Sequence, residues 1–242
     1  MLVACVAMSL TGCGESGSNP PVLPEVLFQI GPAPGGTGAP VTFSVPTLFT
    51  AGALNTFPAG MTFTTTGVFS IYLEGATQPY GGIFVRSAGS GDITVQESIF
   101  TAPGTPQIVT RDTTAGKDPP VATVVIPAMV TPSTTPVAAN PEVRFDICVP
   151  TSGASSCFPP GESGIPGVQF TGSLGDAFFT HQVGVNPVAT TPSVYFLMGA
   201  RDSVNGVFQS TNGQSLLVQL YVNGQLKQSS SGSGDVVVRE DL

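Results

Sequence analysis

Apolar and polar residues alternate along much of this chain. In 216–222, Leu216, Val218, Leu220 and Val222 fall on one side of an extended backbone. In 143–149, Val143, Phe145, Ile147 and Val149 do the same, with Arg144, Asp146 and Cys148 opposite. Phe69, Ile71 and Leu73 align in 68–73, and Ile83 with Val85 in 83–87. A period of two is the signature of a strand buried on one face. Glycine and proline interrupt the chain so often that the longest stretches free of both, 1–11 and 92–102, have 11 residues. Helices average about 11–12 residues and exclude both from their interiors, whereas strands of about 5–6 fit between such breaks. The pattern predicts an all-β protein.

The chain also matches itself. Pro24-Glu25-Val26-Leu27-Phe28-Gln29-Ile30 and Pro141-Glu142-Val143-Arg144-Phe145-Asp146-Ile147 agree at five of seven positions. Ile71-Tyr72-Leu73-Glu74-Gly75 parallels Leu220-Tyr221-Val222-Asn223-Gly224. The segment from Gly89 to Glu97 agrees with that from Gly232 to Glu240 at six of nine positions. Three blocks in the same order predict an internal duplication: repeat 1 over 24–102, a linker over 103–120, and repeat 2 over 121–242. Repeat 2 carries about 32 extra residues, placed in 150–212, where Asp176 to His181 and Val194 to Met198 predict added strands. The apolar run Val121-Ala122-Thr123-Val124-Val125-Ile126 is a strand that begins repeat 2 or closes repeat 1. The Thr-Pro tract 131–141 is an extended connection. Two β-rich units with Gly/Pro turns are expected to form antiparallel sandwiches. The arrangement is similar to tandem immunoglobulin-like modules of bacterial surface proteins, with a jelly roll as the alternative.

Composition narrows the function. Of 242 residues, 30 are Gly and 23 Pro, and only 9% are charged. Mean hydropathy is +0.30, which opposes intrinsic disorder. Fifteen acids against seven bases give a net charge of −8. Neutralising a phosphate backbone needs clustered Lys and Arg, so a nucleic-acid partner is excluded. With one His and no Trp, the chain has little equipment for catalysis.

Residues 1–12 are apolar or small, carry no charge and run into Cys13. Leu10-Thr11-Gly12-Cys13 resembles the lipobox of bacterial lipoprotein signal peptides. The resemblance implies a signal peptide over 1–12, cleavage before Cys13, and acyl chains on Cys13. Two or three such chains anchor stably where one is marginal. Residues 13–23 read as a flexible tether. Gly14 follows the cysteine where the inner-membrane retention signal of many Gram-negative lipoproteins has Asp, which implies the outer membrane or cell surface.

Cys148 and Cys157 are the other cysteine pair, and in an exported protein they are expected to form a disulfide. It closes a turn-rich surface loop, with Cys148 on the side away from Val143 and Phe145. A metal has no partners here, because His181 is 24 positions from Cys157. His181 reads as a half-exposed strand residue. Glu74, Glu97, Glu142 and Glu162 could each supply a carboxylate, yet the sequence singles out no pair. Asp92, Asp112, Asp118, Asp202 and Asp235 lie in or beside turns without a calcium-loop spacing, so they read as solvated turn carboxylates. Tyr72 and Tyr221 could stack on a sugar, but their equivalent places in the repeats mark a structural strand position.

These features lead to an expectation of a non-catalytic cell-envelope lipoprotein, without catalytic residues, metal or cofactor, presenting a binding or structural surface. Its partners are the membrane, through the anchor, and other envelope proteins, surface glycans or copies of itself. The alternatives are a self-assembling fibre or coat subunit that adds strands to sheet edges, and an envelope hydrolase. Val236 and Val238 are expected to face the second core in a last strand, with Val237 and Arg239 opposite. Truncation after Gly234 is expected to unfold repeat 2 alone.

Overall fold

The computed structural model describes residues 25–34, 39–50, 53–76, 80–100, 107–112, 121–126, 141–151, 155–158, 167–184 and 188–242. The leader, Cys13, the tether, Asp118, Glu162 and most of the Thr-Pro tract lie outside the described residues. Among the described residues there are strands and no helix, as the alternation predicts. In chain order the first nine are β1 (Glu25–Pro32), β2 (Val41–Thr50), β3 (Ala53–Asn55), β4 (Phe63–Thr65), β5 (Phe69–Glu74), β6 (Tyr80–Arg86), β7 (Ile93–Phe100), β8 (Gln107–Asp112) and β9 (Val121–Ile126). The second nine are β10 (Val143–Cys148), β11 (Gln169–Asp176), β12 (Thr180–Val183), β13 (Ala189–Thr190), β14 (Ser193–Leu197), β15 (Ser203–Ser210), β16 (Leu216–Val222), β17 (Gln225–Gly232) and β18 (Val236–Asp241).

They form three sheets. An eight-stranded sheet runs β17-β16-β10-β14-β5-β1-β7-β8 through both halves of the chain. One five-stranded sheet runs β3-β2-β6-β9 with β4 beside β2, and the other runs β12-β11-β15-β18 with β13 beside β11. Every described pair is antiparallel except β5 with β14, which join the two halves in parallel. The five-stranded sheets cover opposite faces of the central one. Val26, Phe28, Ile30, Ile71 and Leu73 point into the first core. Val143, Phe145, Ile147, Val218 and Leu220 point into the second, from the other face. The result is two sandwiches packed on opposite sides of a shared sheet.

At the junction both faces are covered, and the sequence there loses its alternation. All residues of β5, β10 and β14 are buried. Strands covered on both sides read as nearly continuous apolar runs. The run Val194-Tyr195-Phe196-Leu197 is one: Val194 and Phe196 enter the first core, Tyr195 and Leu197 the second.

Two blocks of the internal match occupy equivalent places. Val26 stands opposite Leu73 and Phe28 opposite Ile71. Their counterparts, Val143 with Val222 and Phe145 with Leu220, stand in the same register. The third block departs from equivalence. β7 lies beside β1 in the central sheet, whereas β18 lies beside β15 in an outer one. Three further expectations need correction. The segment 103–120 is not linker throughout, because β8 within it pairs with β7. Residues 121–126 belong to repeat 1, since β9 pairs with β6. A strand's backbone donors and acceptors need partners, and the open edges of existing sheets supply them. In 83–87 the phase is inverted: Phe84 is fully buried, while Ile83 and Val85 are half-buried. Phe84 packs on Phe28, with ring centres 5.4 Å apart.

Candidate functional site

A groove of about 940 Å³ lies where the two halves meet. Its first wall is an opening in the edge of β2. β4 pairs with residues 41–43 and β3 with 48–50, so neither strand covers 44–47. On its other side β2 is irregular between Ser44 and Thr47, where Pro46 lacks a donor. The chain between β3 and β4 arches over this opening. It turns at Gly60, whose positive φ of 79° suits glycine, and Met61 N–H donates to the Pro58 carbonyl at 2.9 Å. Phe57 anchors the arch by packing edge-on against Phe63 at 4.8 Å and Phe196 at 5.4 Å. Phe196 comes from the second half.

The second wall is Glu142, Asn223 and Gly224. Asn223 turns between β16 and β17 at φ 51°, and Gly224 follows at φ 74°. Asn223 Oδ1 accepts the Glu142 N–H at 2.9 Å, and Asn223 N–H donates to the Glu142 carbonyl at 2.8 Å. Glu142 Oε2 accepts the Thr56 N–H at 3.1 Å, so one carboxylate ties the two walls together. Burial raises its pKa above the usual range, and the Thr56 N–H and the Arg144 charge pull the other way. The groove thus pairs apolar walls (Val45, Pro46, Phe57, Met61) with one acidic group and the hydroxyls of Ser44, Thr56 and Thr62. A volume near the upper end of small-ligand sites, with few polar groups, suits recognition of an apolar group with one polar feature.

A buried polar strip supports this wall from behind. Arg144 Nε lies 2.9 Å from Asp146 Oδ1, with both side chains almost fully buried. The guanidinium is sandwiched between the rings of Tyr221 at 4.1 Å and Phe57 at 5.3 Å. Burial pushes the Asp146 carboxyl up, and Arg144 opposes that shift. Cys148 and Cys157 are joined in a disulfide, with Cα atoms 5.4 Å apart. Cys148 faces away from Val143 and Phe145, as expected. Both cysteines are buried with Leu217, and Cys157 N–H donates to Gln219 Oε1 at 2.8 Å. The bridge therefore holds residues 155–158 down over the polar face of β10 and β16.

The other residues singled out from sequence do not converge on the groove. Cys13 lies outside the described residues. His181 Nδ1 is 3.7 Å from Glu74 Oε2 across the seam between halves. That spacing is an ion pair's, yet burial raises Glu74 to about 8 and lowers His181 against the pull of Asp176, and both shifts favour the neutral forms. Glu97 is buried in the first core. Asp92 pairs with Arg86 at 3.3 Å. Asp202 sits at φ 65° in a turn. Among the described residues, no three of His, Cys, Asp or Glu cluster as metal ligands would. Tyr72 and Tyr221 are structural: Tyr72 stacks on Tyr195 at 4.2 Å across the junction, and Tyr221 lies under Arg144. In the sequence Glu142 is a repeated letter in two matching blocks and one of four candidate carboxylates, with nothing to single it out. Its role depends on Thr56, 86 positions away, which no local pattern signals. No protein family, curated protein or solved structure matches this chain.

Proposed function

We propose that this chain is a non-catalytic, lipid-anchored module of a bacterial cell envelope, and that the groove between its halves is its binding face. The anchor rests on Leu10-Thr11-Gly12-Cys13. The single observation carrying the binding role is the groove, with apolar walls drawn from both halves and Glu142 as its acidic group. Such a face selects an apolar group that carries a positive charge, because a partly buried carboxylate is best satisfied by a cation.

Two measurements test this reading. The native protein partitions into detergent with its envelope, and Cys13→Ser releases it or leaves it uncleaved. An intact mass that begins at Met1 without acyl groups refutes the anchor. For the groove, the neutral fluorophore Nile red binds saturably to the purified chain at dilutions where it is monomeric, and Ala59→Trp, which plugs the groove from an exposed position, abolishes that binding. Unchanged fluorescence in Ala59→Trp refutes the groove as a binding face.

A further inference from the structure

Opposite the groove, the second half projects a stiff apolar tip. The turn between β11 and β12 leaves Phe178 58% and Phe179 39% exposed. Asp176, itself buried, holds that turn: its Oδ1 accepts the N–H groups of Phe178 and Phe179, both at 2.8 Å. Its Oδ2 accepts the Arg201 N–H at 3.0 Å, and its own N–H donates to the Phe179 carbonyl at 2.9 Å. A Cβ at Gly175 would overlap that same carbonyl oxygen, so the turn requires glycine there. The Arg201 guanidinium lies 4.5 Å from the centre of the Phe178 ring. Four hydrogen bonds thus fix an aromatic ring in solvent with a cation on its face. Rigid aromatic and Arg groups of this kind are typical anchors of interfaces.

Tip and groove lie at the same end of the central sheet, on opposite faces. β5 and β14 both run toward that end and finish side by side at Glu74 and Leu197. From the first face, the Asn55 side chain beside the groove reaches Met198, which follows β14. From the second face, His181 of the tip hairpin reaches Glu74. A two-fold axis in the plane of the sheet, perpendicular to its strands, reverses strand direction and exchanges faces. It therefore carries the tip of each copy to the end and face on which the other's groove opens.

We propose that two copies of this chain dock end to end about such an axis, each placing Phe178 and Arg201 in the other's groove. Phe178 meets Val45, Pro46, Phe57 and Met61, and the Arg201 guanidinium meets the Glu142 carboxylate. The match is one of charge as well as polarity: the groove's acid faces the tip's only cation. Such a contact is isologous and closes at two copies. The proposal rests on reading the groove as a binding face and names its occupant.

Sedimentation equilibrium of the purified full chain tests it. The wild type forms a dimer and no larger species. Phe178→Ser removes an exposed ring, and Ala59→Trp fills the groove from an exposed position, so neither disturbs a core. Each alone weakens dimerisation by roughly tenfold or more, as expected for loss of an aromatic anchor. An equimolar mixture of the two recovers part of the association, because the heterodimer keeps one of its two contacts, the tip of Ala59→Trp in the open groove of Phe178→Ser. A monomeric wild type, variants that dimerise like it, or a mixture without recovery overturns the proposal. Nile red separates the two readings. If it binds Phe178→Ser saturably while the wild type stays monomeric, the groove stands and self-docking fails; without such binding the groove itself fails.

Discussion

Glu97 lies on β7 opposite Phe28, inside the first core, and neither of its carboxyl oxygens has a hydrogen-bond partner. Burial pushes its pKa up to about 8, so it is protonated at neutral pH. The unfolded chain titrates near the ordinary 4.5. Between those values the folded state holds a proton that the unfolded state has lost. Stability from this group is therefore fully present below about pH 4.5 and declines as pH rises through 8, by up to about 1.4 kcal/mol per pH unit. Glu74 adds a second decline in the same window. His181, lowered by burial, acts in the opposite sense, costing stability as pH falls below its usual range. Glu97→Gln should leave Tm near the wild type at about pH 5, raise it clearly at about pH 9, and flatten the profile between. Equal Tm profiles for both proteins would mean that Glu97 is ionised in the fold.

At the scale of elements, β18 joins local pattern to long-range packing. Val236 and Val238 are buried, while Val237 is 49% exposed and Arg239 exposed, as the alternation requires. The faces were legible from sequence; the partner was not. Matching Gly232 to Glu240 with Gly89 to Glu97 implies a place like that of β7, yet β18 closes the outer sheet against β15. Truncation after Gly234 removes two buried valines worth roughly 3–5 kcal/mol and bares the edge of β15. The truncated chain should melt well below the full one, and an unchanged Tm in a thermal scan would refute a structural role for this strand. The same limit explains β6. Ile83 and Val85 share the apolar-looking face of the alternation, but Phe84 fills the core and Gly82 leaves room beside Leu48. Period two gives a strand two faces, and which one is buried depends on what packs against it. The groove was illegible for a related reason. Its walls come from 44–46, 56–62, 142 and 223–224, four segments that only the completed sheets bring together.

At the scale of the molecule, each half completes the other's core. β14, from repeat 2, sends Val194 and Phe196 into the first core. β1, β5 and β7, from repeat 1, send Leu27, Tyr72 and Phe100 into the second. Tyr72 and Tyr195 stack with planes 5° apart at the parallel junction. Two modules in tandem would leave repeat 1 folded after the loss of repeat 2; this exchange predicts that repeat 1 is weakened with it. Unfolding either half strips apolar cover from the other, so the two free energies are coupled instead of additive. The full chain should unfold in one transition, with calorimetric and van't Hoff enthalpies equal. Phe196→Ala is the sharpest test, because the residue belongs to repeat 2 by sequence and to the first core by position. Deleting a buried ring costs about 3–5 kcal/mol through lost burial and the cavity left behind. Independent modules would confine that loss to one of two transitions. A shared sheet with exchanged core residues moves the whole transition down together, and two separable peaks in the scan of either protein would refute it.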